Sequence, residues 1–136
     1  MRTSLIRAKL EEMKESVQII EDNLPSTLEE FQSLGLVKDG IYKRVEYALE
    51  NVFAICSIIN SDLNLGIPSN EVGVLENLEK NHIFIPELLE KLKSMKGFRN
   101  ILVHRYGNLN DQMAFRNLQI HLKDFSIFKE EVESLL

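Results

Sequence analysis

The chain has no tryptophan and one cysteine, Cys56. A lone thiol cannot close an internal disulfide, so a secreted, disulfide-stapled scaffold is excluded. There are only three prolines and six glycines. No low-complexity run occurs, so disorder is not expected away from the ends. No apolar run approaches the ~18 residues that a membrane helix requires. Met1-Arg2-Thr3-Ser4-Leu5-Ile6-Arg7 leads towards Glu11 and Glu12, not into the apolar core of a signal peptide. The expectation is a cytoplasmic protein. A basic excess is missing too: the net charge is −5, which argues against nucleic-acid binding through bulk charge. Strand-period alternation of useful length is absent, and so is an internal repeat.

What is present is helical periodicity along most of 136 residues, enough for one domain, 1–136, with its own core. Ile6, Leu10, Met13, Val17, Ile20 and Leu24 step by fours and threes, the stripe of a long helix that Pro25 ends. Ser26-Thr27-Leu28-Glu29 has capping-box spacing and predicts a short helix to about Leu34, stopped by Gly35. Asp39 or Gly40 begins the next helix, which Ile41, Val45, Ala48, Leu49, Val52, Ile55, Cys56 and Ile59 carry to about Asn60. Tyr42, Tyr47 and Phe53 widen its apolar surface, placing it centrally.

Beyond a loop over 61–68, Ser69 or Asn70 caps a shorter helix with Val72, Leu75 and Leu78 inward. Pro86 opens another, whose stripe of Leu88, Leu89, Leu92, Met95 and Phe98 continues into Ile101 and Leu102. Asn110 or Asp111 caps the last, with Met113, Phe115, Leu118, Leu122, Phe125, Phe128, Val132 and Leu135 along it. The fold class is all-α: an antiparallel helical bundle of four long helices plus one or two short ones.

One stretch departs from this scaffolding. Between Gly97 and Gly107 stand Arg99, Asn100, His104, Arg105 and Tyr106. Residues 91–106 hold Lys91, Lys93, Lys96, Arg99 and Arg105 and no acid, a local +5 that leaves −10 for the rest of the chain. On an ideal helix Arg99 and His104 diverge by about 140° around the axis. Asn100 and His104 share a face, as do Arg99 and Tyr106. Either the helix breaks near His104 or a second copy of the chain supplies the missing group.

Other chemistries fit less well. His82 sits at a helix end, and His121, one residue off the apolar stripe, reads as solvated. No His-x3-His pair or Cys/His cluster marks a metal site, so neither metal nor cofactor is expected. Cys56 is buried by pattern, and the nucleophile elbow and the phosphate-binding glycine loops are absent. What remains is arginine and histidine on a basic surround, the inventory for metal-free phosphodiester cleavage. An imidazole exchanges protons near neutral pH, and a guanidinium matches the phosphate fork. An RNA would bring its own nucleophile, the 2′-hydroxyl. The plainer reading of Lys91, Lys93 and Lys96 is a solvated helix face; that of Arg105 is an ion pair and that of Tyr106 a bundle-end phenol.

Arg99-Asn100-x3-His104-x-Tyr106, set in Lys96-Gly97-Phe98-Arg99-Asn100-Ile101-Leu102-Val103-His104-Arg105-Tyr106, resembles the Arg-x4-His-x-Tyr motif of the HEPN superfamily, and specifically its HepT-type toxins. Length, helix order and motif position agree along the whole chain. The resemblance implies an α-helical homodimer whose motifs meet across the two-fold as a metal-independent ribonuclease site, with tRNA a target class. It also implies a partner nucleotidyltransferase of the MntA type that transfers AMP to the motif tyrosine and silences the toxin. By carry-over, Arg99, Asn100 and His104 are catalytic and Tyr106 is the residue modified, with Lys91, Lys93, Lys96 and Arg105 as RNA contacts. Two rivals stand beside this: a non-catalytic helical binding or regulatory partner of a nucleotidyltransferase, and a structural helical dimer without a site.

Overall fold

Apolar residues at helical spacing make α3, Leu36–Asp62, the longest element and bury much of it, while Lys43, Arg44, Tyr47 and Glu50 stay at the surface. In a computed structural model, which describes residues 1–104 and 109–136, five further helices gather around it. These are α1 Thr3–Asn23, α2 Leu28–Gln32, α4 Glu71–Lys80, α5 Pro86–His104 and α6 Asp111–Glu133. The long four form the bundle and α2 and α4 are the short pair, with no strand among the described residues.

The helices alternate in direction. Arg2 is paired with Asp62, while the Tyr47 hydroxyl donates to Glu12 at 2.9 Å, so α1 and α3 run antiparallel. Lys91 meets Asp124 and the Ile85 amide donates to Glu131, which gives α5 and α6 the same relation. Between them lies one core in which Ile6, Met13, Ile20, Leu49, Ile55, Ile59, Leu88 and Phe128 are out of contact with solvent. Phe31 anchors α2 there, with its ring centroid 5.8 Å from Tyr42 and 5.1 Å from Phe115.

Helix starts follow local chemistry more than the apolar stripes alone indicate. The capping box is Thr27 with Glu30, one residue on from the spacing read at Ser26: the Thr27 hydroxyl accepts from the Glu30 amide and bonds the Glu30 carboxylate. Gly35 takes φ +60°, a conformation that a side chain resists, and turns the chain so that α3 begins at Leu36, not at Asp39 or Gly40. Leu36 and Val37 form the outward side of that first turn, with Leu36 86% exposed, and so add nothing to the buried stripe.

Four expected inward positions face solvent. On α4, Val74 completes the buried face with Leu75 and Leu78, and Val72 is half exposed. Ile101 leaves the α5 stripe while Leu102 keeps it, and Met113 is exposed beside the cap of α6. Tyr47 lies at the surface, where its hydroxyl reaches Glu12.

A polar network fixes where α4 starts. Asn60, buried near the end of α3, donates to the Gly66 carbonyl at 2.9 Å and accepts from Asn77 at 3.0 Å. Gly66, at φ +124°, brings its backbone against Asn77. Asn70 then caps α4 by accepting from the Gly73 amide at 3.0 Å. These bonds tie α3, the loop and α4 into one unit and set Glu71 in the first turn of α4.

Candidate functional site on α5

Pro86 supplies a fixed φ at the start of α5, and Leu88, Leu89, Leu92, Met95 and Leu102 bury its inner face. That phase aims Arg99 towards α3 and α4. The Arg99 Nη1 donates to Glu71 Oε1 at 2.8 Å and its Nη2 to Glu71 Oε2, an end-on bidentate fork. The guanidinium carbon lies 4.9 Å from the centroid of Phe53, which α3 holds in the core. The Arg99 side chain is only 16% exposed and Glu71 37%. Charge pairing, a planar fork and cation–π contact thus fix one guanidinium from two neighbouring helices.

His104 is the last residue of α5 and is exposed, while Asn100, one turn earlier, is half-buried. No hydrogen bond joins Arg99 to His104 among the described residues, as their divergence on one helix requires. Arg105 and Tyr106 lie outside the described residues.

The basic segment is less bare than its sequence. Lys91 donates to Asp124 at 2.9 Å, and Lys93 reaches Glu79 at 3.2 Å and Glu90 at 3.3 Å. Lys96 is half-buried and has no ion pair among the described residues. Asp124 is 1% exposed and also bonds His121 Nδ1 at 2.9 Å, so His121 is not simply solvated. This Lys91–Asp124–His121 cluster lines a cleft of about 340 Å³ between α5 and α6, beside Phe98 and Ile101.

Glu71, Phe53 and Asp124 were not legible as site residues. Glu71 is 28 positions from Arg99, and a contact between helices leaves no period in sequence. The capping pattern at Asn70 was the one available clue. Cys56 lies in the core near the same carboxylate; burial first, and then Glu71, push its thiol well above the ordinary range. Among the described residues no group of three His, Cys, Asp or Glu side chains is placed to hold a metal ion. None of the described helices is long and apolar enough to cross a membrane.

The architecture matches that of helical toxins solved with their antitoxins. A tri-AMPylated Shewanella oneidensis HEPN toxin, solved in complex with an MNT antitoxin, superposes with a TM-score of 0.85 at 27% identity, covering 95% of this chain and 96% of that one. At sequence level, the model of the ribonuclease HepT-like family matches residues 13–132, and the chain belongs to that family. The mRNA nuclease HepT of Shewanella oneidensis is 30% identical over 105 residues, 77% of this chain and 79% of the relative. The tRNA nuclease HepT of Aphanizomenon flos-aquae is 24% identical over 135 residues, 99% of this chain and 87% of the relative.

Proposed function

We propose that this chain is a metal-independent endoribonuclease toxin that acts as a homodimer, with its site composed from two copies of the α5 motif. The observation that carries the reading is a guanidinium seated by Glu71 and Phe53 on the same helix that ends in an exposed His104. Arg99 stabilises charge on the phosphate oxygens and Asn100 orients the phosphate or ribose. His104 takes the proton of the 2′-hydroxyl as that oxygen attacks phosphorus. The bond from phosphorus to the 5′-oxygen breaks, and the protonated His104 of the second copy supplies the proton that oxygen needs. Lys93, Lys96 and Arg105 hold the RNA backbone, while Lys91 stays with the buried Asp124. The nuclease names of the two relatives, one for mRNA and one for tRNA, support RNA as substrate, and tRNA is the class proposed for this chain.

A nucleotidyltransferase antitoxin of the MntA type is the partner, and it silences the enzyme by adding AMP to Tyr106. The solved AMPylated toxin–antitoxin complex supports this. Each AMP places a phosphate and a nucleotide where RNA phosphate would bind.

The test is purified protein on total RNA with EDTA present. Cleavage persists in the chelator, and His104→Ala loses roughly 10²–10⁴-fold in rate. Activity that disappears on chelation, or a His104→Ala variant as fast as wild type, refutes the mechanism. Incubation with the partner and ATP adds AMP to wild type and not to Tyr106→Phe. One observation favours the non-catalytic rival: a carboxylate already occupies one edge of Arg99. Normal growth of cells expressing the unmodified chain without its partner would decide for that rival.

A further inference from the structure

Glu71 has no part in the roles given above, yet it makes the bonds that orient Arg99. A guanidinium carries five N–H donors: one on Nε and two on each Nη. The end-on fork to Glu71 uses one donor from each Nη. The side edge, Nε–H with the neighbouring Nη–H, is left over, and Arg99 Nε donates no hydrogen bond among the described residues. A phosphate can meet that edge with two parallel bonds while Glu71 keeps the other end.

We propose that Glu71 is a positioning residue for Arg99: it clamps the guanidinium end-on against Phe53 so that the side edge is presented to the scissile phosphodiester. This deepens the ribonuclease reading and rests on it. Three features show that the clamp is built and not incidental. The Asn60–Asn77–Gly66 network and the Asn70 cap fix the first turn of α4. Glu71 stands in the first turn of α4, where the positive partial charge of the helix N-terminus attracts an acidic side chain. Phe53, 4% exposed, gives the opposite face of the guanidinium a rigid platform. An arginine held in this way loses little freedom when the phosphate arrives, and preorganisation of that kind acts on the chemical step.

Charge and position predict opposite effects on the two kinetic constants. The Glu71 carboxylate repels an incoming phosphate, so Glu71→Gln leaves KM unchanged or lower. The same substitution releases the guanidinium, so kcat falls roughly 10- to 100-fold, the usual scale for losing the group that orients a reacting one.

The experiment compares wild type, Glu71→Gln, Glu71→Asp and Arg99→Lys, and the Glu71→Gln change on the Arg99→Lys background. Each is assayed in steady state on a fluorophore-labelled RNA oligonucleotide, with circular dichroism to verify folding. The expected result is the kcat loss without a KM rise, partial recovery in Glu71→Asp, and little further loss when Glu71→Gln joins Arg99→Lys. Should Glu71→Gln fail to fold, Phe53→Leu, which loosens the platform, must show the same split. A Glu71→Gln enzyme as fast as wild type or faster overturns the proposal, because the carboxylate is then neutral or merely blocks Arg99. So does a raised KM at constant kcat, or an undiminished loss on the Arg99→Lys background. A wild type that does not cleave RNA removes the ribonuclease reading itself; one that cleaves while Glu71→Gln is unaffected removes only the clamp.

Discussion

Replacing Asp111 with asparagine removes one charge from the place where α6 begins, three residues after the segment 105–108. The Asp111 carboxylate accepts from Lys38 Nζ at 2.8 Å and from the Tyr42 hydroxyl at 2.6 Å, both on α3. It also lies in the first turn of α6, where a negative charge is favoured. Asparagine keeps an acceptor for Tyr42 and loses the rest. The partly exposed ion pair is worth up to about 1 kcal/mol. The charge-assisted share of the hydrogen bonds is worth about 1 kcal/mol and the helix-end term about 0.5 kcal/mol. These share one charge and do not sum fully, so the cost is about 1.5 kcal/mol, or roughly 5 °C in Tm at this chain length.

The pH dependence identifies the cause. Burial opposes ionisation of Asp111, but the hydrogen bonds from Lys38 and Tyr42 and the attraction of Lys38 outweigh it, so its carboxyl lies below the ordinary value. A group with a depressed folded pKa stabilises fully above its unfolded value, about 3.9 for aspartate, and loses that contribution as pH falls through the folded value. Urea unfolding of wild type and Asp111→Asn, stepped from pH 7 to pH 3, should therefore show the full gap at pH 7 and a narrowing gap below about pH 4. Equal midpoints at pH 7, or a gap that widens in acid, would refute the reasoning.

Phe31→Ala removes the ring that joins α2 to Tyr42 and Phe115 in the core. It should cost about 3–5 kcal/mol in denaturant unfolding, and a loss below about 1 kcal/mol would mean that α2 is not anchored there. Cys56 is fully buried and its thiol is pushed up by burial, so a disulfide exchange reagent should leave the native protein untouched and titrate the thiol only after unfolding. Reaction of the native protein at the rate of a free thiol would place Cys56 at the surface.

The long helices were legible because each carries a stripe that one buried face repeats: Ile6 to Ile20 on α1, Ile41 to Ile59 on α3 and Phe115 to Val132 on α6. Their starts were less so, since a start depends on one residue's backbone. Gly35 reads as a stop for α2 until its φ of +60° shows that it also launches α3. Val72 and Ile101 misled because an apolar letter at the edge of a stripe carries no sign of which way a helix rolls. At the site, Arg99 and His104 stood out by composition, whereas Glu71 and Asp124 are ordinary acids whose meaning comes from helices that the sequence keeps far apart.

The charge on α5 shows what that omission conceals. Counted along the chain, five cations stand without an acid; among the described residues three of them carry acidic partners, and the pairs differ in kind. Asp124, at 1% exposure, binds Lys91 and His121 together as a piece of packing, and breaking it strands a buried carboxylate. Lys93 and Glu79 are about half exposed and Glu90 mostly so, so these pairs are weak and a phosphate can displace them. Lys96 has no such competitor among the described residues. Lys93→Ala and Lys96→Ala should therefore each weaken RNA binding and flatten its dependence on salt, by about 0.7 in the log–log slope per lost phosphate contact on a single strand. Lys91→Ala should leave that slope nearly unchanged and lower Tm instead. Filter binding across a salt series, run beside thermal melts, separates the two behaviours. A flattened slope for Lys91→Ala with an unaltered Tm would mean that the Asp124 pair opens to let Lys91 reach RNA, and that the wall between α5 and α6 is part of the binding surface.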